Sequence, residues 1–159
     1  MVCVVKTDVT DYLDEMSVRY VVRSHREAAL TAEAAARERG VGISQIVKCM
    51  IGETESGQLV AMLIPGDKRL KSSKARKRVG ASSLKLVAPE RLVAELGLVV
   101  GAISPTQLVG RALMLADPTV LAHERTTISS GDPLAGLELS PQDLLDAVGA
   151  EQVDIVSHS

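Results

Sequence analysis

Apolar and polar positions fall into short blocks along this chain, and the period of each block predicts an element. Residues 46–51, Ile46-Val47-Lys48-Cys49-Met50-Ile51, form an apolar run closed by Gly52, the pattern of a strand buried on both faces. One lysine, Lys48, interrupts it. The polar stretch 52–57 is bounded by glycines, and a second apolar run over 59–64 ends at Pro65-Gly66. The two runs read as a hairpin with Lys48 on its first arm. Further strands are expected at 18–23, 83–87, 111–115, 126–131, 137–139 and 153–156, and 2–5 reads as a short strand or merely a leader.

Helices follow from caps and spacing. Thr10-Asp11 opens one, with Tyr12, Leu13 and Met16 at helical intervals. Thr31 caps an alanine-rich helix over 32–39 that Gly40 stops. Ser72 or Ser73 caps one ending at Gly80, and Pro89-Glu90 opens one ending at Gly97. Ser140-Pro141-Gln142-Asp143 is a capping signature for a last helix ending at Gly149. The pattern predicts an α/β (α+β) protein, a single domain over 1–159, with a mixed, curved β-sheet of about seven strands flanked by four or five helices.

Composition narrows the core. Two Tyr, no Phe and no Trp make it aliphatic, and they rule out an aromatic platform for stacked bases. With Cys3 and Cys49 the only cysteines, there is no disulfide framework and no zinc spacing. No apolar run approaches a membrane span and no signal peptide is visible, so a cytosolic protein is expected. Net charge is −2, but seven of the 18 basic residues lie within 68–78 with no acid among them. There Lys71, Lys74 and Arg78 share one helical face, a candidate dock for phosphates or, equally, a solvated face.

Glycine-rich phosphate loops and the nucleophile elbow are absent. His25, His123 and His158 lack metal-ligand spacing; His25 follows a strand, where sites often sit, His123 decorates a loop and His158 lies in the tail. Cys49 points to the opposite face from Lys48 and reads as a core thiol. A lysine inside an apolar strand is costly unless it is paired or reaches a polar cleft, so Lys48 either snorkels outward or lines a site.

Four features in order, "QIVKCMI" around Lys48, the G-x-x-x-P turn Gly101-Ala102-Ile103-Ser104-Pro105, the segment "ISSG…GLEL" and the helix "SPQDLLDAVGA", resemble the YbaK/prolyl-tRNA editing family over about residues 18–155. The resemblance implies one α/β domain and metal-independent, cofactor-free hydrolysis of the ester joining a wrong amino acid to a tRNA. The tRNA implied is tRNA(Pro) carrying Ala, Cys or another small amino acid. Lys48 matches the family's essential lysine. Gly101 matches the glycine whose backbone approaches the aminoacyl group, with Ser104 and Pro105 completing its turn. Ser129 and Gly131 match the segment closing the pocket, and His25 the loop where relatives often carry histidine. Asp132-Pro133 departs from the basic residues that relatives often carry there.

The implied partner is tRNA, held at its acceptor stem by Lys71, Lys74 and Arg78, with prolyl-tRNA synthetase a possible second partner. Attack by water, or with help from the substrate's own groups, fits the lack of a side-chain nucleophile. The alternatives are a non-catalytic tRNA- or synthetase-binding module of the same fold, and an unrelated small-molecule hydrolase.

Overall fold

The computed structural model describes residues 5–158. These residues hold five α-helices and eight strands, in the order α1 (Asp8–Glu15), β1 (Tyr20–Ser24), α2 (Ala32–Arg39), β2 (Val47–Thr54), β3 (Leu59–Pro65), α3 (Ser72–Val79), β4 (Leu84–Leu86), α4 (Pro89–Leu96), β5 (Leu113–Ala116), β6 (Thr126–Ser129), β7 (Ala135–Leu139), α5 (Pro141–Val148) and β8 (Glu151–Gln152). The α+β class holds, and the strands divide into two sheets. One has order β4-β2-β3-β5-β8, the other β1-β7-β6. The larger sheet is mixed, because β5 pairs parallel to both β3 and β8 while β2 pairs antiparallel to β3 and β4.

The sheets meet at a seam. Ile46 bridges Thr127 in parallel, Thr126 Oγ1 donates to the Gln45 carbonyl at 2.6 Å, and Gln45 Nε2 donates to the Arg125 carbonyl at 3.3 Å. Strand alternation sorts side chains across the larger sheet. Val47, Ile51, Ala61 and Leu63 join the main core with Leu137 and Leu139 of the smaller sheet, whereas Val60, Met62 and Ile64 pack on Ala75 of α3 with Ile155 and Val156.

Several expectations shift. The strand buried along nearly its whole length, from Val60 to Pro65, is β3, not β2, whose residues 48–50 are only half buried because they border a cavity. α1 begins at Asp8, and Thr10 serves as the third residue of a capping box whose cap is Thr7. Neither Ser72 nor Ser73 caps α3; the cap position is Lys71, without a side-chain bond. The closing strand is Glu151–Gln152 rather than 153–156, which runs alongside and bridges Leu70 through Val156. The expected strand at 2–5 lies, apart from Val5, outside the described residues. α2 and α5 match their caps: Thr31 accepts from Ala34 N at 3.0 Å, Gly40 is left-handed at φ 69°, and Ser140 accepts from Asp143 N.

Candidate functional site

A cavity of about 290 Å³ opens at the seam between the sheets. Its walls come from four stretches far apart in the chain: the entry and inner face of α2, residues 46–50, the turn at Gly101 and Ile103, and Ser129 at the end of β6. Lys48, Gly101 and Ser129, expected in one site, therefore line one cavity.

Lys48 stands on β2 opposite Ile64, on the face that carries Met50. Its Nζ donates to the Lys68 carbonyl at 3.0 Å. The lysine is thus half exposed and hydrogen-bonded. Lys48 and Met50 also border a second cleft of about 330 Å³ with Lys68, Arg69 and Ser72. Lys68 and Arg69 continue into a third with Asp67, Ser157 and His158. A cationic path thus leads outward from the cavity.

Gly101 is required twice over. Its φ of 86° lies in the left-handed region, and a Cβ there would come within 2.7 Å of Leu30 Cδ2 and 3.1 Å of Leu30 Cα. The close approach is to Leu30 on the facing wall, so the glycine sets the width of the cavity mouth. Ser104 and Pro105 do not reach the cavity. Both are buried behind Ile103, where Pro105 opens the 3-10 turn Pro105–Leu108 and Ser104 N donates to Gln107 Oε1 at 2.9 Å. They shape the wall from behind.

Ser129 faces the cavity while its Oγ accepts from Gly131 N at 3.2 Å. Gly131 itself turns away at φ 88°, and a Cβ on it would meet Val9 and Asp8 of α1. Its place is the turn, not the substrate wall. Cys49 joins the core face, as expected, yet also borders the cavity near the strand's start. Burial pushes its thiol up to about 12, so it offers no thiolate nucleophile at neutral pH.

The largest difference concerns His25 and a residue that sequence reasoning passed over, Arg39. His25 does not line the cavity. A carbonyl only accepts, so the 2.8 Å contact to the Pro133 oxygen places the ring proton on Nδ1. Nε2 then accepts from Arg39 Nε at 3.1 Å. Both ring nitrogens are engaged, and burial, helped by the Arg39 charge, lowers the His25 pKa. His25 is a neutral prop for Arg39. Arg39, the last residue of α2, borders the cavity and donates from Nη1 to Thr127 Oγ1 at 3.0 Å. Its guanidinium lies against Gly136 of β7, where any Cβ would overlap Nε, Cζ and Cδ. The available signal was Gly136 itself, a side-chain-free position inside a strand.

The basic face of α3 is mostly occupied. Lys74 Nζ donates to both Asp154 carboxylate oxygens, at 2.9 and 3.0 Å, and to the Val156 carbonyl. Arg78 pairs with Glu151. The acids arrive with the C-terminal segment, so of the three expected phosphate contacts only Lys71 is exposed without an ion pair among the described residues. His123 Nε2 contacts Ser44 Oγ at 2.8 Å, and His158 Nε2 contacts Asp154.

Comparison with known proteins places this geometry. A proline–tRNA ligase of Thermosipho melanesiensis is 32% identical over 81 residues, covering 51% of this chain but only 14% of the ligase. The chain thus spans a small part of that relative. Among solved structures, hypothetical protein APE2540 superposes with a TM-score of 0.87 at 27% identity, covering 95% of this chain and 100% of that one. A proposed trans-editing enzyme for prolyl tRNA synthetase superposes at 0.77, 24% identical, covering 96% and 99%, and shares the fold. The model of the aminoacyl-tRNA editing domain matches residues 26–147, well over half of the sequence, and the chain belongs to that family.

Proposed function

We propose that this protein is a deacylase that hydrolyses the ester of a mischarged tRNA, most simply tRNA(Pro) carrying a small amino acid, and acts in the cytosol on tRNA charged elsewhere. The observation that carries the reading is the convergence of Lys48, Gly101 and Ser129, from three separate segments, on one cavity in a chain of the editing-domain family. The ester would enter past Leu30 and Gly101, with the tRNA end lying along Lys48, Lys68 and Arg69. Water attacks the ester carbonyl and the oxygen gains negative charge. A lysine ammonium fixed beside it stabilises that charge more in the transition state than in the ground state. Collapse of the tetrahedral species releases the 3′-terminal hydroxyl, which takes the proton that water gave up. Neither Cys49 nor His25 serves as nucleophile or base, since the first is held as a thiol and the second has both nitrogens engaged.

With Lys74 and Arg78 paired to acids, Lys68, Arg69 and Lys71 become the proposed phosphate contacts. The test is release of amino acid from tRNA(Pro) charged separately with Ala, Cys, Ser and Pro, by wild type and Lys48→Ala. Wild type should release at least one non-proline residue, and Lys48→Ala should lose about a hundredfold or more in rate while staying folded. Tight tRNA binding without release by wild type would make the protein a binding module instead.

A further inference from the structure

Arg39 is the part of the cavity that the ester chemistry leaves unused. It lies half buried at the seam, among Ala29, Leu30, Ala35 and Ile46, and burial pulls its pKa down to about 10. A guanidinium has five N–H donors, and here two hydrogen bonds are made, to neutral His25 and neutral Thr127. No carboxylate pairs with it among the described residues. The acid on its own sheet face, Glu138, is taken by Arg23 at 2.5 Å and Arg125 at 3.5 Å. Glu38 accepts from the backbone N–H groups of Arg26 and Glu27, and Asp132 closes its own turn through Leu134 N.

A cation removed from water is costly unless its donors find acceptors. The fold nevertheless commits Gly136, His25 and Thr127 to holding this one in place. An occupant of the cavity must then either supply acceptors or leave desolvated N–H groups unmet. Every aminoacyl ester carries an α-ammonium, which the same charge repels. An ester bound with its amino group away from Arg39 can present its side chain to the guanidinium.

We propose that Arg39 selects the aminoacyl group, so that the cavity takes esters whose side chain presents an acceptor oxygen in preference to aliphatic side chains of the same shape. This inference rests on the hydrolase reading and names its substrate class. Arg39 is the specificity residue; His25 and Thr127 position it. The asymmetry should be large, because a site built to hydrogen-bond a substrate oxygen leaves its own donors unpaired when the oxygen is missing.

Threonyl and valyl esters are the matched pair, nearly equal in shape and differing by one hydroxyl. In single-turnover hydrolysis of tRNA bearing each, wild type should favour threonyl by about a hundredfold or more. Arg39→Met should bring the ratio to within a few-fold, and Arg39→Lys, which keeps the charge but loses the fork, should fall between. A wild-type ratio near unity, or an unchanged ratio in Arg39→Met, overturns the proposal. Binding of the non-hydrolysable 3′-amide analogues of threonyl- and valyl-adenosine separates it from the hydrolase reading. Preferential binding of the threonyl amide, lost in Arg39→Met, supports selection even if no ester is cleaved, in which case only the hydrolase reading falls. Equal binding of the two amides overturns selection.

Discussion

The fold treats its two groups of basic side chains in opposite ways. On α3 the cations are conspicuous in sequence and lie largely at the surface, and two of the four meet acids brought by the C-terminal segment, Lys74 with Asp154 and Arg78 with Glu151. At the seam a single inconspicuous arginine, Arg39, is held half buried by neutral groups with no acid beside it. Density of charge along a chain thus says little about where charge stays available. Exposed ion pairs contribute only about 0–1 kcal/mol each. A desolvated cation fixed by three other residues is expensive, and its cost points to a ligand.

The sharpest way to break this contrast is Gly136→Ala. The added methyl would occupy the space of the Arg39 guanidinium, which must move off the sheet and abandon His25 and Thr127. Overpacking of this kind costs about 1–3 kcal/mol. Denaturant unfolding should show that loss, and the threonyl-over-valyl preference should fall in the same variant. Retained stability together with retained preference would mean that Arg39 is not pinned at Gly136.

Charge removal on α3 should have a smaller effect. Replacing Lys74 and Arg78 with Gln should change stability by about 1 kcal/mol or less per pair and leave the salt dependence of tRNA affinity nearly intact. Replacing Lys68, Arg69 and Lys71 with Gln should flatten that dependence, by about one unit of slope for each phosphate that is no longer neutralised. The opposite ranking across a salt series would return the phosphate-binding role to the α3 face.

The smallest expected effect is one of pH. Burial and the Arg39 charge lower the His25 pKa in the folded protein, so the unfolded chain binds its proton more readily. This contribution to stability is therefore present above the ordinary value of 6.5 and is lost as pH falls below it. Protonation also turns Nε2 from acceptor to donor, facing the Arg39 Nε–H, while Glu38 and Asp132 soften the change by favouring the charged ring. Thermal melts between pH 7 and 5.5 should show a fall of a few degrees that His25→Asn reduces. Identical pH profiles would show that His25 does not couple to folding.

Much of the secondary structure was legible because it rests on local rules. The Thr31 and Ser140 caps and the apolar runs of β2 and β3 act within a few residues of chain. Where local rules competed, sequence reasoning slipped by a turn or a residue. Thr10 looked like a cap because it belongs to a capping box, but Thr7 holds the cap position. At the cavity, the resemblance pointed to Lys48, Gly101 and Ser129, which line it, whereas Ser104 and Pro105 lie behind the wall, Gly131 holds a turn against α1 and His25 props Arg39.

By itself the sequence determined the elements, the aliphatic character of the core, the family resemblance and the lysine in its strand, since these depend on neighbours along the chain. Only the tertiary structure decided which charges stay free. Asp154 reaches Lys74 across 80 positions, Thr127 reaches Arg39 across 88, and Arg39 at the end of α2 lies against Gly136 of β7. Electrostatic pairing and desolvation depend on distance in space and on access to water. Neither is written in the order of residues, which is why Lys74 and Arg78 of the crowded basic run meet acids while the lone arginine, among the described residues, meets none.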